Sequence, residues 1–128
     1  MKKYVENNFA SFRLEKGILH ISYKEDVSLL LSGAMEIVAL RLIIQQGKAY
    51  PILCNMCGVR YISLNAQKYF AVEGSLLIMA LALISKPPLA MVYTKLYIKE
   101  APPIKIKMFT EEALALEFLS PFVLPESA

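Results

Sequence analysis

The sequence predicts an α/β fold: a mixed four- to five-stranded sheet with an N-terminal β-hairpin followed by βα repeats. Three observations carry this. Phe12-Arg13-Leu14-Glu15 and Ile18-Leu19-His20-Ile21-Ser22-Tyr23 alternate with period two on either side of Lys16-Gly17, the pattern of a tight hairpin. Apolar strands start near residues 50, 79 and 104, intervals long enough for helical crossovers between parallel strands. The stretch Ala49 to Ala66, AYPILCNMCGVRYISLNA, sets an apolar strand (Tyr50 to Cys54) before a loop (Asn55 to Ile62) and a helix start near Ser63, which is half of a βαβ unit.

Taken in order, residues 1–10 read as a flexible lead-in, 11–120 as one domain and 121–128 as a C-terminal tail. Pairing Glu15 with Ile18 sets Leu14 opposite Leu19 and Phe12 opposite Ile21 on an apolar face, and Arg13 opposite His20 on a polar one. Asp26 is expected to cap a helix from Val27 to about Gln46 that stops at Gly47. On it Ser28, Ser32 and Glu36 make a narrow polar stripe, joined by Arg41 and Gln45; the rest is apolar and calls for burial. A helix from Leu64 to Glu73 ends at Gly74. Met79 to Ile84 reads as a buried parallel strand, while Ser75 to Met79 fits helix or strand. Pro87-Pro88 suit the first turn of a helix from Leu89 to about Lys99. Ile104 to Phe109 alternates with lysines on one face, as an edge strand protected from pairing does. Thr110 is expected to cap a last helix reaching about Leu119, with Glu111 and Glu112 at its positive end.

At 128 residues, 56% of them hydrophobic, the chain has enough apolar material for one core covered on both sheet faces. The net charge of +3 comes from dispersed lysines that do not alternate with exposed aromatics, so no nucleic-acid partner is expected. Lys2 and Lys3 lead into Tyr4-Val5-Glu6-Asn7-Asn8 and not into an apolar run, so no signal peptide is expected. Val27 to Ile44 contains Glu36 and Arg41, and Leu76 to Val92 is cut by Ser85-Lys86-Pro87-Pro88; neither gives the roughly 20 apolar residues of a membrane span. The expected location is the cytoplasm.

Cys54-Asn55-Met56-Cys57 is a CxxC, a pattern used in thiol redox chemistry when the first thiol caps a helix. Here Cys54 falls inside the strand, and residues three apart on an extended chain point to opposite faces, so two structural cysteines are the favoured reading. With a lone histidine, His20, and no second cysteine pair, no metal site is expected. His20 should face outward beside Arg13 and Ser22. The carboxylates Glu36, Glu73, Glu111, Glu112 and Glu117 solvate helices; no acid–base pair, phosphate-binding glycine loop or nucleophile elbow stands out, so neither catalytic residues nor cofactors are expected. Ser63 stands at a helix start, where its hydroxyl would cap free amides and a phosphate on it would be stabilised.

The order of Gly17-Ile18-Leu19-His20-Ile21, Tyr50-Pro51-Ile52-Leu53, Ile62-Ser63 with Ala66, and Phe109-Thr110-Glu111-Glu112-Ala113 running to Phe118-Leu119 resembles the STAS domains. These are the small α/β fold of anti-sigma-factor antagonists and of sulphate-transporter tails, and the chain looks most like a stand-alone STAS-like bacterial family. In the antagonists a serine or threonine at the helix start is phosphorylated, which controls binding to an anti-sigma factor. The resemblance maps that place onto Ser63 and the strand-end acid onto Asn55; the family's acidic residue and glycine around the serine are missing here.

Three functions compete. The first is a non-catalytic regulatory module that binds another protein through the loop and helix start around Ser63, with Asn55, Gly58, Arg60 and Asn65 as loop contacts. The second is a carrier of an apolar or lipid-like molecule, suggested by the apolar excess in Val27 to Ile44 and Leu76 to Met91; a homodimer through an apolar helix face explains the same excess. The third is a thiol oxidoreductase acting through Cys54 and Cys57.

Overall fold

The computed structural model describes residues 3–86, 92 and 104–125. Six strands form the main sheet: β1 (Lys3–Glu6), β2 (Ala10–Glu15), β3 (Ile18–Tyr23), β5 (Tyr50–Asn55), β7 (Ile78–Ile84) and β8 (Lys105–Phe109), in that order. The first three are antiparallel, and β3, β5, β7 and β8 run parallel. The hairpin register is the expected one, with Arg13 opposite His20 and Phe12 opposite Ile21. Its turn places both Lys16 (φ 51°) and Gly17 (φ 78°) in the left-handed region, the geometry whose twist suits a two-residue hairpin.

Alternation on the strands makes two cores. Phe12, Leu19, Ile21, Ile52, Cys54, Leu81 and Leu83 pack on one face with Ala34, Ile37 and Ile44 of α1 (Leu31–Gln45) and Ala66 of α2 (Leu64–Val72). Ile18, Leu53, Ala80, Ala82 and Ile84 meet Ala115 and Leu119 of α3 (Glu112–Leu119) on the other. The small alanines of β7 let α3 approach closely. Lys105 and Lys107 are exposed on the edge strand β8, as expected.

Several expectations change. The lead-in contains strand β1, which pairs with β2 from Lys3↔Leu14 to Glu6↔Ser11, so the sheet has one strand more than expected. The helix expected from Val27 begins at Leu31, because Val27–Leu29 is a strand, β4. Asp26 has a left-handed backbone (φ 56°) before that strand and caps nothing; Leu30 holds the N-cap position without a side-chain bond. Part of the loop from Asn55 to Ile62 is strand β6 (Val59–Ile62), which pairs parallel with β4 in a separate two-stranded sheet. Glu111, not Thr110, holds the N-cap position of α3. The tail starts with a 3-10 turn, Ser120–Phe122, and Phe122 and Val123 pack on the α3 core because they are apolar. Ser75 to Met79 resolves into the end of a 3-10 turn (Glu73–Ser75), a link and the start of β7. The helix expected from Leu89 to Lys99 lies outside the described residues.

Arg41 and Gln45 leave the polar stripe and are buried. Arg41 donates to Gln45 Oε1, to Gly74 O at 3.0 Å and to Leu76 O at 2.9 Å; Gln45 Nε2 donates to Lys48 O and Leu77 O, both at 2.9 Å. Leu77 O also accepts from Tyr50 N–H at 3.3 Å, but the turn before β7 offers no regular ladder to the Gly74 and Leu76 carbonyls, and buried carbonyls left without donors are costly.

Gly58 is where the β4/β6 unit meets the main sheet. It is buried, and a Cβ there would overlap the Lys24 carbonyl, a backbone atom that cannot swing away. Gly58→Ala is therefore expected to cost about 3 kcal/mol or more of stability in urea unfolding. A loss below about 0.5 kcal/mol, the size of an ordinary surface change, would refute that close approach.

Candidate interaction site

The β4/β6 pair builds the site. Val27 N–H donates to Gly58 O at 3.0 Å, and Ser63 N–H donates to Leu29 O at 2.9 Å. Leu29 and Ile62 are register partners and both are buried, so the pair is held by its inner side chains. Each strand runs straight into a helix, β4 into α1 and β6 into α2, so the two helices begin beside each other. Because α2 crosses from the end of β5 back to the start of β7, this point lies at the carboxyl end of the parallel strands, where open α/β sheets place their binding surfaces.

Ser63 is the N-cap of α2, as expected. Its backbone is extended (φ −65°, ψ 158°), and its Oγ accepts from Ala66 N–H at 3.2 Å. The residue is half-buried. Around it the surface is apolar: Leu64 is 63% exposed, Leu30 56% and Tyr61 45%. Arg60 and Asn65 are exposed beside them. The remaining two candidates lie elsewhere. Gly58 is buried, and Asn55 ends β5, where its Oδ1 accepts from Cys57 N–H at 2.9 Å and shapes the turn toward β6. Leu30 was missed because β4 was read as the first turn of a helix, which hides a residue at the strand-to-helix junction.

The two cysteines lie in different cores. Cys54 is buried among the residues under α1, with its thiol 3.6 Å from Met56 Sδ, whereas half-buried Cys57 packs toward the α3 core. Burial pushes the Cys54 thiol up to about 12, with the Arg41 charge opposing the shift. A thiol that stays protonated is a poor nucleophile. Among the described residues no group of three or more His, Cys, Asp or Glu is placed to hold a metal ion, and no helix is long and apolar enough to cross a membrane.

His20 faces outward as expected but is half-buried, and Arg13 Nη2 donates to its Nδ1 at 3.2 Å. Burial lowers its pKa, and the Arg13 charge lowers it further, against smaller opposing pulls from Glu112 and Glu15.

The family model of a domain of unknown function, DUF7793, matches residues 12–123. The chain belongs to the DUF7793 family. No curated protein matches it. Among solved structures it is similar to an uncharacterised protein of the DUF3478 family with a SpoIIAA-like fold from Shewanella loihica PV-4. That likeness has a TM-score of 0.60 at 14% identity and covers 93% of this chain and 92% of the other. At that identity the likeness concerns the fold, and the fold is the STAS-like one the sequence resembled.

Two outcomes follow for this DUF7793 chain. Titration of the folded protein with a chromogenic disulfide should modify Cys57 alone, with Cys54 reacting only after unfolding; rapid reaction of both, or a disulfide between them, would contradict the two-core placement. For His20, a folded pKa below the unfolded 6.5 means the unfolded chain binds more protons between the two values. Stability is therefore full above about pH 6.5 and falls as pH drops below it. A His20→Gln variant should lose that part of the pH dependence, and an unchanged profile would show that His20 titrates alike folded and unfolded.

Proposed function

We propose that this DUF7793 domain is a non-catalytic regulatory module that binds another protein through the start of α2 and the adjoining β4–α1 turn. The observation that carries this is the exposed apolar cluster of Leu30, Tyr61 and Leu64 set around Ser63 at the carboxyl end of the parallel strands. Exposed apolar residues gathered at one place, rimmed here by Arg60 and Asn65, are a mark of protein contact surfaces. Ser63 would govern the contact through a charge on its oxygen, which would sit beside the first amides of α2 and change the polarity of an apolar patch; its N-cap position supports this.

A second copy of the chain is another partner for the same side of the molecule. Along α1, Leu31, Met35 and Ile43 are exposed, at spacings of four and eight that put them on one stripe. The carrier reading has less behind it. The apolar cavity between the sheet and α1/α2, lined by Ile21, Val38, Ile52, Phe70 and Leu81, holds only about 60 Å³. An engineered cavity of roughly 150 Å³ is what benzene fills, so a lipid chain would need the helices to move apart.

The test compares affinity capture from cells by wild type, Leu64→Glu and Ser63→Glu, alongside sedimentation of each. Leu64→Glu is expected to lose a protein that wild type retains, or to dissociate a dimer, without loss of thermal stability, and Ser63→Glu to weaken the same contact. Identical capture and identical mass for all three would remove this surface from the contact.

A further inference from the structure

Among the described residues, the face of the sheet opposite α1 and α2 is only half covered. Helix α3 lies over β5, β7 and β8, and the part made by β1, β2 and β3 is polar: Tyr4, Ser11, Arg13, His20 and Ser22. The open face of an antiparallel sheet is often simply wet and polar. Here, however, a pocket of about 160 Å³ forms where that face meets Asn55 at the end of β5 and Glu112 at the start of α3. Residues from β1, β2, β3, β5 and α3 line it, among them Ser22 and Asn55 near the carboxyl ends of β3 and β5.

The hydrogen bonds fix what the pocket offers. Arg13 is always a donor, so its Nη2 bond to His20 Nδ1 places the neutral imidazole proton on Nε2. Glu15 takes Arg13 Nε at 3.2 Å, which leaves Nη1 without a partner among the described residues. Cys57 N–H occupies Asn55 Oδ1, so the Asn55 amide turns its NH₂ outward as a donor. Arg13 Nη1, His20 Nε2–H and the Asn55 NH₂ therefore serve as donors, with Ser11 and Ser22 hydroxyls between them. Glu112 supplies a carboxylate acceptor.

We infer that this pocket binds a small zwitterion of amino-acid size, its carboxylate on Arg13 and His20 and its ammonium on Glu112. The volume is close to the roughly 150 Å³ that accommodates a molecule of benzene's size. A phosphate is disfavoured, because Glu112 and Glu15 set two negative charges against one guanidinium. A lone cation would leave the three donor groups unused. The site is separate from the contact surface at Ser63, and the inference stands without it.

The experiment follows the Arg13 Nε–H, His20 ring and Asn55 side-chain resonances of the whole chain during titration with glycine, L-serine, L-aspartate, propionate, propylamine and inorganic phosphate. At least one amino acid is expected to shift all three groups saturably. Arg13→Gln should weaken both that amino acid and propionate about tenfold or more, while Glu112→Gln weakens only the amino acid. The split between the two probes in Glu112→Gln is the signature that a merely structural glutamate would not give. Tighter binding of phosphate than of every amino acid overturns the ligand class. Shifts confined to other residues, no saturable shift with any probe, or wild-type binding by both variants overturns the site. Both substitutions replace partly or fully exposed side chains, and if Arg13→Gln unfolds, the Glu112→Gln comparison decides alone.

Discussion

Everything in this molecule hangs on the position of β5. It is hydrogen-bonded on both sides, to β3 and to β7, and both of its faces are buried. A strand so placed has no solvent side, so Ile52 and Cys54 need α1 and α2 above them and Leu53 needs α3 below. Fully burying a side chain such as Ile52 or Leu53 is worth about 1.5–3 kcal/mol, enough to make each covering layer favourable. The cost of this location is visible at Pro51, which has no N–H to give a ladder. The β5–β7 register shifts between Tyr50 and Pro51, the kind of irregularity that lets a proline sit in a sheet interior.

That constraint also explains which parts of the fold the sequence made legible. Continuous apolar runs at Tyr50–Cys54 and Met79–Ile84 are what a doubly covered strand requires, and strict alternation in Phe12–Tyr23 is what a hairpin with one polar face requires. Each of these signals is local. The β4/β6 pair is not: Val27–Leu29 and Val59–Ile62 are short, and each becomes a strand by pairing with the other across some thirty residues. Val27-Ser28-Leu29 runs without a break into the apolar helix, so helical periodicity absorbed it. Arg41 and Gln45 misled for a related reason. Polar residues four apart read as a solvated stripe, whereas their donors are consumed by the carbonyls of Gly74, Leu76 and Leu77, which approach only in the folded chain.

The candidate site divided in the same way. Ser63 was legible because a helix cap is a local event, a serine before a helical run. Arg60 and Asn65 follow it to the surface by proximity. Gly58 was grouped with them by sequence distance alone, yet its lack of a side chain serves the packing of β6 against the Lys24 backbone. Of the apolar residues around Ser63, Tyr61 and Leu64 are its neighbours in the chain, whereas Leu30 arrives from the β4–α1 junction and had no signal until β4 was placed.

Asn55 joins the two proposals. It ends the strand whose burial organises the sheet, and its one side-chain amide faces two ways. The oxygen holds the turn that leads through Gly58 to β6 and so to Ser63, while the NH₂ is the donor that the proposed pocket ligand would engage beside Arg13 and His20. The residue is short, so the oxygen cannot release Cys57 N–H without turning the NH₂ away from the pocket as well. Occupancy of the pocket, by engaging that NH₂, would favour the amide orientation that fixes the turn. The coupling this provides is limited by the one hydrogen bond it acts through, about 1 kcal/mol, or roughly fivefold in an equilibrium. That is the scale of a modulator of the contact surface and not of an all-or-none switch.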